Sequence, residues 1–439
     1  MIRSLAVLAL CGVSLSCAPE SGRPPPLGTL HFPTLAVASP DGRFLYVANS
    51  NFNLEFSGAL LQRFDLDAIR ARARARQNNG NLPEFEPNEA LFVSSDRGAA
   101  VRLGSYVTGL KFSPDHQRLY SVSRGTGCVT WMDVGADGGL ECGQSGVTMA
   151  CDTQAQSSVN HCVGSSRTGP RNLLLPINPT SLDVSTGPNN DRYLTITHHE
   201  ETRSRFSLMV DRGTAGPVMS HFAGEFQARL WTQLRLPGPD HHWLVFTRDE
   251  PSIGHARVFE DGLSSFVYRG SPTVPTTVSS ELGVIDVTLD PCNPTRAYIA
   301  SRARRGSRTS GLSGDALLAL DVSNPAEPRV IDQLSMPIGP SRVVPVRRGA
   351  TCAEGTDLYV VLYDSRKIYV VDAERWRETA QIRTQFGPTD LIVDPRFDEA
   401  DHHFLYLINF SSMCIEVIDP VTRRVLFTVG EPIRPRELT

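Results

Sequence analysis

Seven times along the chain a short apolar run gives way to a turn, then a Leu-Tyr-Val-like run, a polar step and a further run that ends in Asp. The first copy is TLAVASPDGRFLYVANSN, continuing to LLQRFDLD, and the last is TDLIVDPRFDEADHHFLYLINFSSMCIEVIDPVTRRVLFTVG. Turns of the SPDG or DPxxP kind end the first run of a unit, because Pro and Gly break a strand ladder and set the backbone angles of a turn. The runs that follow alternate apolar with polar or are apolar throughout, as strands packed between neighbours do. A supersecondary unit that repeats every ~40 to 60 residues fixes the architecture before any site is read. The expected fold is all-β: a seven-bladed β-propeller of four-stranded antiparallel blades, starting near Phe32, Tyr106, Ile177, Arg229, Leu282, Ser341 and Thr389. The middle units are degenerate enough to admit six or eight blades. Closing a ring removes exposed sheet edges. RVLFTVG ends in phase at Gly430, so closure is expected to need only a short strand around Leu30 to Phe32.

The motifs Pro40-Asp41-Gly42 with Leu45-Tyr46-Val47-Ala48-Asn49, Pro114-Asp115 with Leu119-Tyr120, Leu358-Tyr359-Val360 with Tyr369-Val370-Val371-Asp372, and Leu405-Tyr406 with Ile415-Glu416-Val417-Ile418-Asp419 carry a resemblance. They are similar to the YVTN-type β-propeller repeat family, over most of the chain and most faintly in units three and four. The resemblance implies a propeller that either binds partners or serves as a lactonase or dehydrogenase. Fold alone does not choose among these.

The opening MIRSLAVLALCGVSLSCAPE has the order of a secretory signal, one basic residue followed by a short apolar stretch. Val13-Ser14-Leu15-Ser16-Cys17 resembles the lipobox of bacterial lipoproteins, which implies acylation at Cys17; the alternative is plain signal-peptidase cleavage. Ala18 lacks the Asp that retains many lipoproteins at the inner membrane, favouring the outer membrane. The expected organisation is a signal peptide over 1–16, a lipidated Pro-rich linker over 17–29, the propeller over 30–431 and a tail over 432–439. A net charge of −4 gives no reason to expect nucleic acid as a partner. In an exported protein the cysteines are expected to pair. Cys128, Cys142, Cys151 and Cys162 fall together, Cys292 and Cys352 occupy equivalent turns of adjacent blades, and Cys414 is left over.

Three insertions interrupt the repeat. DAIRARARARQNNGN favours an exposed helix whose Arg70, Arg72, Arg74 and Arg76 spread charge around it. The cysteine-bearing stretch from Gly135 to Pro170 is read as a loop between blades two and three, and ARRGSRTSGLSG as a longer loop in blade five.

Candidate chemistry is sparse. The spacing of Cys142, Cys151, His161 and Cys162 matches no zinc pattern of paired C-x2-C knuckles, so disulfides are the simpler reading. The pairs His241-His242 and His402-His403 recur because the repeat recurs, and His198-His199-Glu200-Glu201 ends a strand on the opposite rim. No C-x-x-C-H, nucleophile elbow or phosphate-binding loop occurs. No cofactor, metal or catalytic residue is assigned. A lactonase of this architecture would need a metal held by inner loops, near which Glu281, Asn178 and Asp390 fall. The residue after each Leu-Tyr-Val-x-Asn run reads Ser50, Arg124, His198, Arg248, Arg302, Tyr363 and Phe410. Arg124, His198, Arg248 and Arg302, with Tyr363 and Phe410 beyond them, could form a crescent that holds a carboxylate, phosphate or anionic sugar. The competing reading pairs these cations with Asp249, Glu250, Asp364 and Asp390. The function expected is an envelope-anchored lipoprotein, tethered to the membrane by its lipid, that binds a protein or small anion without catalysis. The alternative is a metal-dependent lactonase-like or periplasmic dehydrogenase-like enzyme.

Overall fold

The computed structural model describes residues 23, 25–79, 84–93, 99–142, 148–150, 172–176, 178–187, 190–199, 204–213, 216–226, 229–238, 241–248, 253–259, 262–269, 282–303, 314–349, 351–396 and 404–433. Seven antiparallel sheets follow one another along the chain. Their first strands start at Pro33, Val107, Pro179, Leu230, Leu282, Pro340 and Pro388, each within two residues of the start read from the repeat. Neighbouring first strands touch in order, and Pro388–Val393 meets Pro33–Ala38. The sheets are therefore the blades of a closed seven-bladed propeller.

The core is divided by the same geometry. Seven apolar clusters lie among the described residues, and each is shared by two adjacent blades. A strand buried on both faces must be apolar throughout, which is why Leu45-Tyr46-Val47 and Leu358-Tyr359-Val360 read as unbroken runs. The repeated tyrosines Tyr46, Tyr120, Tyr298, Tyr359 and Tyr406 are fully buried. A buried phenol needs a partner. Tyr46 donates to the Gly138 carbonyl (2.8 Å), Tyr298 to Asp290 (2.6 Å) and Tyr406 to Asp394 (2.5 Å), while Tyr120 bonds Asp211 in the next blade.

The seam between the chain's two ends differs from the expectation. The four antiparallel strands of blade seven all come from the C-terminal part of the chain and those of blade one from the N-terminal part, so no strand at Leu30 to Phe32 completes the last sheet. Those two side chains pack into the apolar cluster of the seam instead. The Arg-rich insertion supplies the clasp. It forms the helix Leu66–Asn78, capped by Asp65, with Leu66, Ile69, Arg70 and Ala73 buried. Arg70 is a seam residue and not a solvated charge: Nε and Nη2 grip the two oxygens of Asp394 at 2.7 and 2.6 Å. Arg396 answers from blade seven, reaching Asp67 at 2.6 Å and the Asp41 carbonyl at 2.7 Å. Beyond the helix, Phe85–Glu86 adds a parallel strand to the outer edge Arg424–Val429.

The second insertion also sits elsewhere. It interrupts the outermost strand of blade two, whose halves Leu140–Glu141 and Asn172–Leu174 both pair with Cys128–Val134. Its segment Thr148–Ala150 pairs in parallel with Ala100–Leu103 on blade one. Cys292 and Cys352 are disulfide-bonded across blades five and six, with Cα atoms 5.4 Å apart, and Cys142 is also disulfide-bonded. Cys128 corrects the expectation: it is a buried thiol, its sulfur 2.9 Å from Thr126 Oγ1. It is the first residue of the strand Cys128–Val134. Cys17, Cys151 and Cys162 lie outside the described residues, as do His161, most of the third insertion and the His402-His403 pair.

Removing one partner of a buried ion pair leaves an uncompensated charge and costs about 3–5 kcal/mol. Arg70→Ala should therefore lower the unfolding free energy of the whole propeller by that much, read as a lower urea midpoint at unchanged slope, whereas Arg74→Ala, on the exposed side of the same helix, should leave the midpoint nearly unchanged. Equal effects from the two substitutions would remove the clasp.

Candidate functional site

One rim is defined by backbone bonds that run from the residue after each second strand to the residue before each first strand. They join Ser50 to Phe32, Arg124 to Tyr106, His199 to Asn178, Arg248 to Arg229, Tyr363 to Gly339 and Phe410 to Gly387. Arg302 takes the same place in blade five, opposite Gly283. Arg124, Arg248, Arg302, Tyr363 and Phe410 thus stand at equivalent positions, as the repeat suggested. His198 does not. Arg192 pairs with Asp211 as Phe44 pairs with Asp65, but the strand Arg192–His198 is one residue longer than Phe44–Asn49. The extra residue turns His198 inward, where it is fully buried with Nε2 2.8 Å from Ser207 Oγ, and puts His199 on the rim.

Most rim residues reach toward the next blade. Arg302 donates to the carbonyls of Pro340 (2.8 Å) and Gly339 (2.9 Å) and lies 3.6 Å from Asp364. The His199 ring meets the edge of Trp231 at 5.6 Å, and the Arg248 guanidinium lies 4.2 Å over the same indole. Tyr363 touches Ser411 Oγ at 3.2 Å. Phe410 packs with Phe32 and Phe52, and Phe52 also meets Tyr106. Of the acidic partners proposed for these cations, Asp364 takes up the role, Asp249 and Glu250 lie outside the described residues, and Asp390 is in the channel. Arg124 is different. Half-buried, its Nε has the Asn178 Oδ1 at 3.3 Å, and no carboxylate is near enough to pair with it among the described residues. Burial alone pulls its pKa down.

The first strands enclose a central cavity of about 470 Å³. Each has a bulge at one equivalent residue: Thr34, Thr108, Thr180, Trp231, Ile285, Ser341 and Thr389. Bulges re-aim side chains, and here several hydroxyls turn to carbonyls. Thr108 Oγ1 bonds the Pro179 carbonyl of blade three at 3.0 Å, and the Trp231 indole does the same to Ile285 of blade five at 3.1 Å. The next residue is charged in three successive blades, a pattern the repeat did not reveal. Arg342 lies between Asp286 (3.1 Å) and Asp390 (3.0 Å). Each carboxylate also accepts a backbone N–H from the following blade: Asp286 from Val343 at 2.9 Å, Asp390 from Ala36 at 3.1 Å. Burial raises the Asp286 pKa, and the carboxylate of Asp286 in turn raises that of Arg342.

The other candidates are engaged separately. Asn178 receives Arg124 on the rim, Asp390 receives Arg342 in the channel, and Glu281 is outside the described residues. His241 and His242 open a strand, with His242 Nδ1 2.6 Å from His255 Nε2. Among the described residues no three His, Cys, Asp or Glu side chains converge as metal ligands would. Below the rim of blade seven, Glu416 is buried and accepts from the Gln385 N–H (3.1 Å) and Asn409 Nδ2 (3.0 Å), tying down the loop that enters the blade.

No family model matches the chain, and no curated protein does. Solved structures do. Hydrazine synthase of Kuenenia stuttgartiensis is similar over 89% of this chain and 96% of its own, at 12% identity and a TM-score of 0.57. The periplasmic gluconolactonase PpgL of Pseudomonas aeruginosa matches over 86% and 94%, at 13% and 0.51. The Swd1 β-propeller domain of Myceliophteria thermophila matches over 88% and 96%, at 9% and 0.52. The likeness shows the fold alone. Three such different proteins share the ring, so the rim and channel side chains must carry any statement about function.

Burial raises the Glu416 pKa from 4.5 to about 7, against the opposing pull of its two hydrogen bonds. Between those values the native state binds more protons than the unfolded state, so stability should fall as pH rises through that window and level off above it. Glu416→Gln keeps both acceptor contacts and should flatten this part of the profile, gaining on the order of a few kcal/mol at pH 8. Unfolding by urea at pH 5 and pH 8 measures it; an unchanged slope would place the proton elsewhere.

Proposed function

We propose that this chain is a lipoprotein of the bacterial cell envelope, acylated at Cys17 and held at the outer membrane, whose loop rim binds an anionic group without catalysing a reaction. The lipobox-like Val13-Ser14-Leu15-Ser16-Cys17 supports the anchor, and the likeness of the repeats to YVTN-type propellers agrees with an exported protein. Arg124 carries the binding reading. A guanidinium stays charged at any physiological pH, and this one is half-buried with one amide oxygen at 3.3 Å as its side-chain partner. The desolvation of such a cation is offset when a carboxylate or phosphate arrives. The other rim cations are less available, since Arg302 is spent on backbone carbonyls and Asp364. In the channel, Asp286 and Asp390 share Arg342 and bond backbone groups of the following blades, which favours a structural role for them.

An enzyme reading is favoured at fold level by the similarity to a gluconolactonase and to hydrazine synthase. Metal analysis of the purified protein separates the two, because a stoichiometric divalent ion would favour the hydrolase. For the binder, acetate, inorganic phosphate and glucuronate are the probes. Arg124→Ala should weaken the best of them about 10- to 100-fold, the worth of a charge-assisted hydrogen bond, with no change in melting temperature. Arg302→Ala should instead destabilise blades five and six. Anion binding that survives Arg124→Ala would sink the proposed site.

A further inference from the structure

The rim that carries Arg124 is also the rim from which the N-terminal tether departs. The Ser57 N–H in the exit loop of blade one bonds the Arg23 carbonyl at 2.9 Å, and Arg23 Nη1 lies 3.9 Å from Glu55 in the same loop. Farther along, Gly28 and Thr29 are held by Gln62 at 3.0 and 2.7 Å. Only Ala18 to Gly22 separate Arg23 from Cys17. Fully extended, those steps span about 20 Å, roughly the depth of one blade, since a strand rises about 3.3 Å per residue. A diacylated Cys17 therefore holds the exit-loop rim toward the bilayer, whereas presenting the opposite rim would take the whole tether stretched along the depth of a blade.

That rim is suited to such contact. Phe52 is 51% exposed although its ring is braced by Phe32, Tyr106 and Phe410 at 5.1–5.9 Å spacings within the group. Ile338, in the loop entering blade six, is 46% exposed, and Leu27 in the tether is 42% exposed. Large apolar side chains held out on a rigid base bind the headgroup boundary of a bilayer, and nearby cations strengthen binding to anionic lipid. Arg124 sits beside this ledge, hydrogen-bonded through its backbone to Tyr106.

We propose that the exit-loop rim is a membrane-docking face, on which Phe52 and Ile338 enter the headgroup layer and Arg124 takes a lipid phosphate. The proposal rests on acylation of Cys17, and names the lipid headgroup as the anion for the rim. Full-length chain, exported and purified with its own lipid, is reconstituted into phosphatidylethanolamine–phosphatidylglycerol vesicles with brominated acyl chains. Phe52→Trp and Ile338→Trp, each measured against the parent, should add blue-shifted emission that brominated lipid quenches. Val421→Trp, on a turn of the opposite rim and 62% exposed, should add red-shifted, unquenched emission. Arg124→Ala in the Phe52→Trp background should reduce the quenching on anionic vesicles more than on neutral ones. Mass spectrometry of the N-terminal peptide is read on the same samples. An unacylated Cys17 removes the anchor and the proposal with it. An acylated Cys17 with unquenched Phe52→Trp and Ile338→Trp overturns docking alone, leaving the face to a soluble anion or a protein.

Discussion

Each blade buries its apolar faces only against its two neighbours, and every other feature follows from that constraint. The core is cut into seven seams, and no blade can lose a neighbour without exposing half of its buried surface to water. Six seams are formed by blades that follow directly in the chain. The seventh joins residues more than three hundred apart, so its closure must be supplied by contacts that work against the full entropy of the ring. The helix Leu66–Asn78, the Arg70–Asp394 pair and the added strand Phe85–Glu86 all fall there. An insertion that looks like decoration in the repeat is the part that makes the ring a ring.

The same need explains the polar groups inside. A first strand at the centre has its neighbours' first strands beside it, but no ladder joins them. Side chains bridge the gap. Thr108, Trp231, Asp286 and Asp390 each bond a backbone group of the next blade. Arg342 sits between two of these carboxylates because two buried anions so placed would otherwise repel each other and shed their charge. Buried charge of this kind specifies an arrangement more than it stabilises one. The channel is accordingly stitched, and the freedom to bind has moved to the rim.

How much of this could be read beforehand depends on which residues carried the repeat. Blade number and the first strands were legible because Pro, Gly and the Leu-Tyr-Val runs mark both ends of a strand. The disulfide between Cys292 and Cys352 was legible for the same reason, since equivalent turns of adjacent blades are neighbours. Rim positions were legible in the other six blades and failed at His198, where the backbone pairing sets Pro179 opposite His198 and moves the rim by one further residue to His199. Nothing in the local sequence marks that residue, because Thr195 and Thr197 alternate with apolar neighbours on either count. Arg70 was misread for a different reason: helical spacing shows which residues share a face but not what that face meets. The Asp286–Arg342–Asp390 row was invisible because the bulges that align the three residues belong to backbone pairing.

These differences separate two kinds of charged side chain that look alike in a sequence. Arg70, Arg302 and Arg342 each have a carboxylate or carbonyl fixed by the fold, so their burial is compensated within the protein. Arg124 has a single amide oxygen at the outer limit of a hydrogen bond, although a shorter or neutral side chain would fill the same place at less cost. A fold that surrounds Arg70, Arg302 and Arg342 with several partners, and leaves Arg124 on the same rim as the tether with one, keeps a cation where an external anion can reach it. The braced but exposed Phe52 on the same rim has the same character, an apolar group positioned by its neighbours and left uncovered by them. Together they place both attractive terms, charge and apolar area, on the side of the molecule that a short N-terminal tether would hold against lipid.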